Sequence, residues 1–255
     1  MKITAIALNT FREALRNKVL YSAVLFAVVL VGVSAFFGAV SIGDQVKVIK
    51  SFGLFALSFF GAVITILAGV SLLHKEIAQK TVYNILAKPV ARWQFVAGKY
   101  IGLALTVNVL ISLMGLGLVG FAACFEKRID WLLFQGIFFT LLEMSVIAAV
   151  AMFFSSIAVT ITLTGIFTLA AYVAGRSIDY LSHFTQQDYN PALALVVEAF
   201  DRVLPHLNYF NVGDQVVYGQ AVPAYYAILA CGYCAAYCTV AVTLAALIFS
   251  KRELR

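Results

Sequence analysis

Charge is what this sequence has least of. Only 12% of its 255 residues are Asp, Glu, Lys or Arg, against about 25% in soluble globular domains, and the mean hydropathy is +0.96. Such a chain belongs in a membrane. The apolar runs lack strict alternation with polar positions, which excludes a transmembrane β-barrel. No G-x-x-x-x-G-K-[ST] phosphate loop occurs, so the chain does not bind ATP in the P-loop manner. Ser-His-Asp and Cys-His arrangements are also missing, so no catalytic residue is named. No stretch outside the apolar runs is long enough to form a domain with its own core.

What the chain does have is apolar runs near 20 residues long, enough for a helix to cross roughly 30 Å of hydrocarbon at about 1.5 Å per residue. Six spans are predicted, at 19–40, 52–73, 97–124, 130–153, 157–178 and 223–249. The expected fold is therefore an all-α integral membrane protein, one transmembrane domain over 1–255. From Trp131 to Gly175 only Glu143 is charged, and about 45 residues of helix would exceed 60 Å. That run must fold back, and the turn is expected at Phe153-Phe154-Ser155-Ser156. The first apolar run is too long for a signal-peptide core and is expected to stay in the protein.

Orientation follows from the 18 lysines and arginines. With the N-terminus inside, twelve fall in cytoplasmic segments, while Lys47, Lys50, Lys127, Arg128, Arg176 and Arg202 fall outside. This bias predicts that both termini are cytoplasmic. The net charge of +6 is then accounted for by topology and attraction to lipid, without a nucleic-acid partner. Residues 1–18 read as an interfacial helix with Ile3, Ala7, Phe11, Ala14 and Leu15 on its apolar face. The segment 179–222 is expected outside, with an amphipathic helix from Asn190 to Pro205.

Between spans two and three, residues 74–95 are basic. Thr81 can cap a short helix whose Val82, Ile85 and Leu86 share an apolar face, and Pro89 closes it. Lys75, Lys80, Lys88 and Arg92 form a charged rim, and Glu76 stands at the base. An apolar knob with a polar rim suits docking to a soluble protein. A second helix is expected to begin near Ala91 and run into span three.

The string EIAQKTVYNILAKPVARWQFVAGKY resembles the loop between spans two and three of ABC-2 type permeases, the membrane subunits of ABC transporters. It is most similar to the branch linked to multicopper-enzyme and nitrous-oxide-reductase maturation. Glu76, Thr81, Pro89 and Arg92 match the family's pattern, while Lys80 stands where glycine is common and Ala91 replaces the usual serine. The resemblance extends over the chain. It implies that residues 74–95 are a coupling region seated on an ATP-binding subunit, present in two copies. It also implies a second permease copy or a paralogue, the cytoplasmic (inner) membrane of a bacterium or archaeon, and no cofactor beyond ATP held by the partner. The protein would be a transport subunit and not an enzyme.

Glu143 is the one acid deep in the hydrocarbon, where a charge costs about 2.5 to 3.5 kcal/mol. Asn108, Thr164 and Thr168 are expected at similar depth and within hydrogen-bonding reach. We read the group as a polar clamp between helices, the alternative being a proton or substrate site in a proton-coupled secondary transporter or an intramembrane enzyme. All three histidines are expected near or beyond the membrane surface, which leaves Glu143 without an acid–base partner. Gly115, Gly117 and Gly120 match G-x-G-x-x-G but sit within an apolar span, so they read as helix-packing glycines. Cys231, Cys234 and Cys238 share a helix face and read as packing thiols, with Cu(I) ligation as the alternative and no metal site assigned.

Overall fold

A computed structural model describes residues 2–16, 45–78, 91–157, 160–187 and 203–251, together with scattered positions from 21 to 36; residues 2, 71–78 and 179–187 are described by backbone alone. The described residues are helical, without strands. In chain order they form α1 (Lys2–Leu15), α2 (Gln45–Ala78), α3 (Arg92–Glu126), α4 (Leu132–Ile157), α5 (Ile161–Gln187), a 3-10 turn (Leu207–Phe210), the short α6 (Gly213–Val217) and α7 (Ala224–Lys251).

Five of these helices are long and apolar enough to cross a membrane: Gln45–Val70, Arg92–Glu126, Leu132–Ile157, Ile161–Ile178 and Ala224–Lys251. The predicted first span, 19–40, falls on residues of which only scattered ones are described, and these are helical. The number six is thus not established by the described residues. The bundle has two ends. The base carries α1, the starts of α3 and α5, and the ends of α2, α4 and α7; the far end carries residues 203–223.

Helix α4 is the centre of the bundle, packed against α2, α3, α5 and α7. It is apolar all round, and its small residues Gly136, Ala148, Ala149 and Ala151 are buried. Small side chains let neighbouring helix backbones approach, so van der Waals contact replaces the hydrophobic drive that lipid cannot supply. Helices α5 and α7 are peripheral: 28% of the most apolar stretch of each is buried, against 67% for α2 and α4.

The predicted turn at Phe153–Ser156 lies a few residues too early. Helix α4 continues to Ile157, and both Ser155 and Ser156 are buried within it. The Ser156 hydroxyl donates to the Phe153 carbonyl at 2.7 Å, so it is satisfied inside the helix and does not break it. Thr160 instead opens α5, its hydroxyl accepting the Leu163 N–H at 3.4 Å, the geometry of an N-cap.

Helix α1, expected to be interfacial, is part of the bundle's packing. It packs along the base of α3, with Ala7 and Thr10 buried against it. The seat is Gly98 and Gly102, one helical turn apart. A Cβ at Gly102 would lie 2.6 Å from the Ala7 carbonyl oxygen, and one at Gly98 would lie 2.9 Å from the Ile6 Cβ. Only a residue without a side chain fits at such a crossing. Among the glycines read as packing residues, Gly115 does meet Ile137, but a Cβ on Gly117 or Gly120 would touch nothing within 4 Å.

Candidate functional site

At the far end α2, α4 and α5 part to leave a cavity of about 430 Å³, roofed by Phe210, Asn211, Gly213 and Asp214. One part of its wall is apolar, from Leu54, Phe55, Phe59 and Val173. Another part is polar, from Ser51, Ser58, Thr140, Tyr172 and Ser177. Glu143 and Arg176 lie in the same wall, so the bundle's deepest acid faces protein and cavity.

The two are paired. Arg176 Nε donates to Glu143 Oε1 at 3.0 Å and Nη2 donates to Oε2 at 3.1 Å, while Nη2 lies 2.8 Å from Oε1. The Ser58 hydroxyl donates to Oε2 at 3.1 Å and accepts from Arg176 Nη2. The Tyr172 ring centroid lies 6.0 Å from the guanidinium carbon, within range of a cation–π contact. Asn208 Nδ2 donates to the Arg176 carbonyl at 3.0 Å, tying this turn of α5 to the roof. Burying a carboxylate is tolerable when both oxygens are engaged by a cation and a hydroxyl, as here.

The charge count places Arg176 outside although the predicted span 157–178 includes it, and Asn108 and the threonines are expected within hydrogen-bonding reach of Glu143. The structure replaces both readings. Arg176 lies within the span Ile161–Ile178, and the hydrogen bonds of Glu143 run to Arg176 and Ser58. Asn108 Nδ2 instead donates to the Ser145 hydroxyl at 3.2 Å. The Thr164 and Thr168 hydroxyls donate back to Thr160 and Thr164 carbonyls of their own helix. A signal for the pair was present in the sequence: Glu143 and Arg176 stand about equally far from the ends of their helices at Ile157 and Ile161, and in an antiparallel pair such residues reach the same level.

Beside the cavity mouth, Lys50 is nearly buried and lies 2.7 Å from Glu126 Oε2 and 2.5 Å from Asp130 Oδ2. The chain reaches this arrangement because α3 ends at Lys127, whose φ of 57° turns it back. Asp130 then opens α4, its Oδ1 accepting the Leu132 N–H at 3.0 Å. Burial pushes the Asp130 carboxyl up, but hydrogen bonds from Lys50 and Leu132 and the charges of Lys50 and Arg128 outweigh it. Its pKa is held below the ordinary 3.8.

At the base, Arg92 Nη1 donates to the Ser250 carbonyl at 2.7 Å, and Phe95 stacks on Phe249 with centroids 5.9 Å apart. Val96, Met152 and Ala245 complete this small core. Lys99 is buried, 3.9 Å from Glu13 of α1. The start of α3, the ends of α4 and α7, and α1 are therefore one packed unit. Helix α3 starts at Arg92 after an extended Ala91, whose N–H donates to Gln94 Oε1 at 3.4 Å. Of the coupling residues expected from sequence, Arg92 is placed by this contact and Glu76 only by the backbone of α2. Thr81, Val82, Ile85, Leu86, Lys88 and Pro89 lie outside the described residues, as does most of the expected outer helix from Asn190 to Pro205.

On α7, Cys238 Sγ lies 3.5 Å from the Ser145 carbonyl oxygen and Cys234 Sγ 3.6 Å from that of Leu142. The two thiols thus serve as small packing groups against α4. Among the described residues no three His, Cys, Asp or Glu side chains gather to hold a metal ion.

No curated protein matches the chain. A family model described as ABC-2 family transporter protein matches residues 4–254. That match spans α1, the five long apolar helices and the cavity between them, and the chain belongs to the ABC-2 family of transporter proteins.

Proposed function

We propose that this chain is the permease half of an ABC exporter or translocator, working as a homodimer or with a paralogous permease and driven by two copies of a separate ATP-binding subunit. Its base and both termini face the cytoplasm of a bacterium or archaeon, and residues 74–95 are the coupling region. The observation that carries the reading is the packed base. Helix α3 emerges from the coupling segment at Arg92 and is fastened at once to α7 through Ser250 and Phe249, to α4 through Met152, and to α1 through Gly98 and Gly102. A push on residues 79–90 would therefore be shared by four helices and not absorbed by one loop.

The pattern around Glu76, Thr81, Pro89 and Arg92 supports placement in the maturation-linked branch. The pairing of Glu143 favours the clamp over a proton carrier, because both carboxylate oxygens are engaged.

Copurification in mild detergent followed by mass spectrometry, which should identify an ATP-binding subunit, tests the proposal. Ile85→Asp should release that subunit, since truncating a buried interface anchor commonly costs about 2 kcal/mol or more, roughly thirtyfold in affinity. Lys88→Ala should only weaken it, and more so at high salt. Full binding and transport by Ile85→Asp would overturn the coupling role.

A further inference from the structure

The Glu143–Arg176 pair leaves part of its arginine unused. Nε and Nη2 face the carboxylate and Ser58 and the Tyr172 hydroxyl is also within reach of the guanidinium, while Nη1 makes no hydrogen bond among the described residues. The side chain keeps 26% of its surface exposed where it lines the cavity. A guanidinium held on one edge by a carboxylate presents its remaining N–H donors in a fixed orientation, suited to an oxyanion.

The other charge on the cavity wall is Asp214, exposed at the roof. Glu143, Arg176 and Asp214 together carry one net negative charge, so a bare anion is disfavoured at Arg176. A group bearing both an oxyanion and an ammonium meets the outward edge of the paired Arg176 and, with its ammonium, the charge of Asp214. The third feature is sideways access: Phe55, Phe59 and Val173 line the cavity yet are 59%, 45% and 54% exposed. They stand on apolar spans, where such exposed apolar surface suits contact with hydrocarbon. The volume of about 430 Å³ is within the range of small-ligand sites, about 300–1,000 Å³.

We infer that this cavity, within a single chain, binds an ammonium-bearing phosphodiester headgroup. The phosphate accepts from Arg176 Nη1, the ammonium pairs with Asp214, and any acyl chains leave across Phe55, Phe59 and Val173. The inference concerns equilibrium binding and stands apart from the transport reading, so loss of the ATP-binding subunit would not bear on it.

The test titrates the purified, delipidated chain in maltoside detergent with three probes, read by native mass spectrometry. These are short-chain phosphatidylethanolamine, short-chain phosphatidylglycerol, and water-soluble glycerophosphoethanolamine. Phosphatidylethanolamine should saturate at one per chain and bind about tenfold or more tighter than phosphatidylglycerol, the scale of one charged hydrogen bond. Asp214→Asn, at an exposed position, should erase that preference. The paired variant Glu143→Gln with Arg176→Gln, which leaves no orphan charge, should weaken both lipids about tenfold. Equal binding of glycerophosphoethanolamine would identify a soluble headgroup as sufficient, and its failure to bind would identify a lipid; both support the site. Equal affinity for the two lipids, or a preference that survives Asp214→Asn, would overturn it.

Discussion

Arg176 of α5 lies 2.8 Å from Glu143 of α4, a charge pair inside a bundle that has few charges to spare. Removing one partner leaves the other buried, which costs about 3–5 kcal/mol. Arg176→Gln should therefore lower the thermal midpoint in detergent sharply, because Glu143 is 1% exposed. Adding Glu143→Gln to that variant should recover much of the loss. If the double variant is as unstable as the sum of the singles, the two residues do not act as a pair.

The crossing of α1 over α3 leaves no room for side chains. Gly102→Leu should detach α1, since even a Cβ there falls 2.6 Å from the Ala7 carbonyl oxygen. The readout is carbodiimide cross-linking of Lys99 to Glu13, 3.9 Å apart in the parent, efficient there and lost in the variant. Gly117→Ala, where a Cβ meets nothing within 4 Å, should leave cross-linking unchanged.

Acid should loosen the far end. The folded-state pKa of Asp130 is below its ordinary value, so the carboxylate adds stability above about pH 4 that is lost as pH falls through the depressed folded value. Lys50→Met removes the main cation and should lower the thermal midpoint at neutral pH. The gap between parent and variant should narrow as the pH falls below about 4. A gap independent of pH would mean that the Lys50 ion pairs contribute nothing.

Orientation is open to direct labelling. With the base in the cytoplasm and the exposed Cys124 replaced by Ser, a Gln187→Cys variant should react with an impermeant maleimide on intact cells, and an Arg255→Cys variant should react only after permeabilisation. The reverse pattern would invert the topology.

Span positions were legible in sequence because crossing a fixed thickness of hydrocarbon demands a length and a composition that any window reveals. Residues 52–73, 97–124, 130–153, 157–178 and 223–249 each fall mostly or wholly on a described helix. The turn after α4 was misplaced because a serine in an apolar helix can satisfy its hydroxyl on the preceding turn, as Ser156 does, so polarity alone does not mark a break. Lys50 and Arg176 were counted as orientation charges, although one closes a three-residue network and the other completes the Glu143 pair. Composition is blind to that distinction.

By itself, then, the sequence determined that the chain is helical, membrane-embedded, without a nucleotide site of the P-loop kind, and interrupted by a basic segment between two spans. These properties follow from hydrocarbon thickness, backbone hydrogen bonding and the cost of charge, which act on each segment separately. Only the tertiary structure decided which helix is central, that Gly98 and Gly102 seat α1 while Gly117 and Gly120 do not, and that Glu143 is partnered by Arg176 beside a cavity. Each of those depends on the rotation of one helix against another, and that rotation is set by which small side chains happen to meet, information spread over several spans at once.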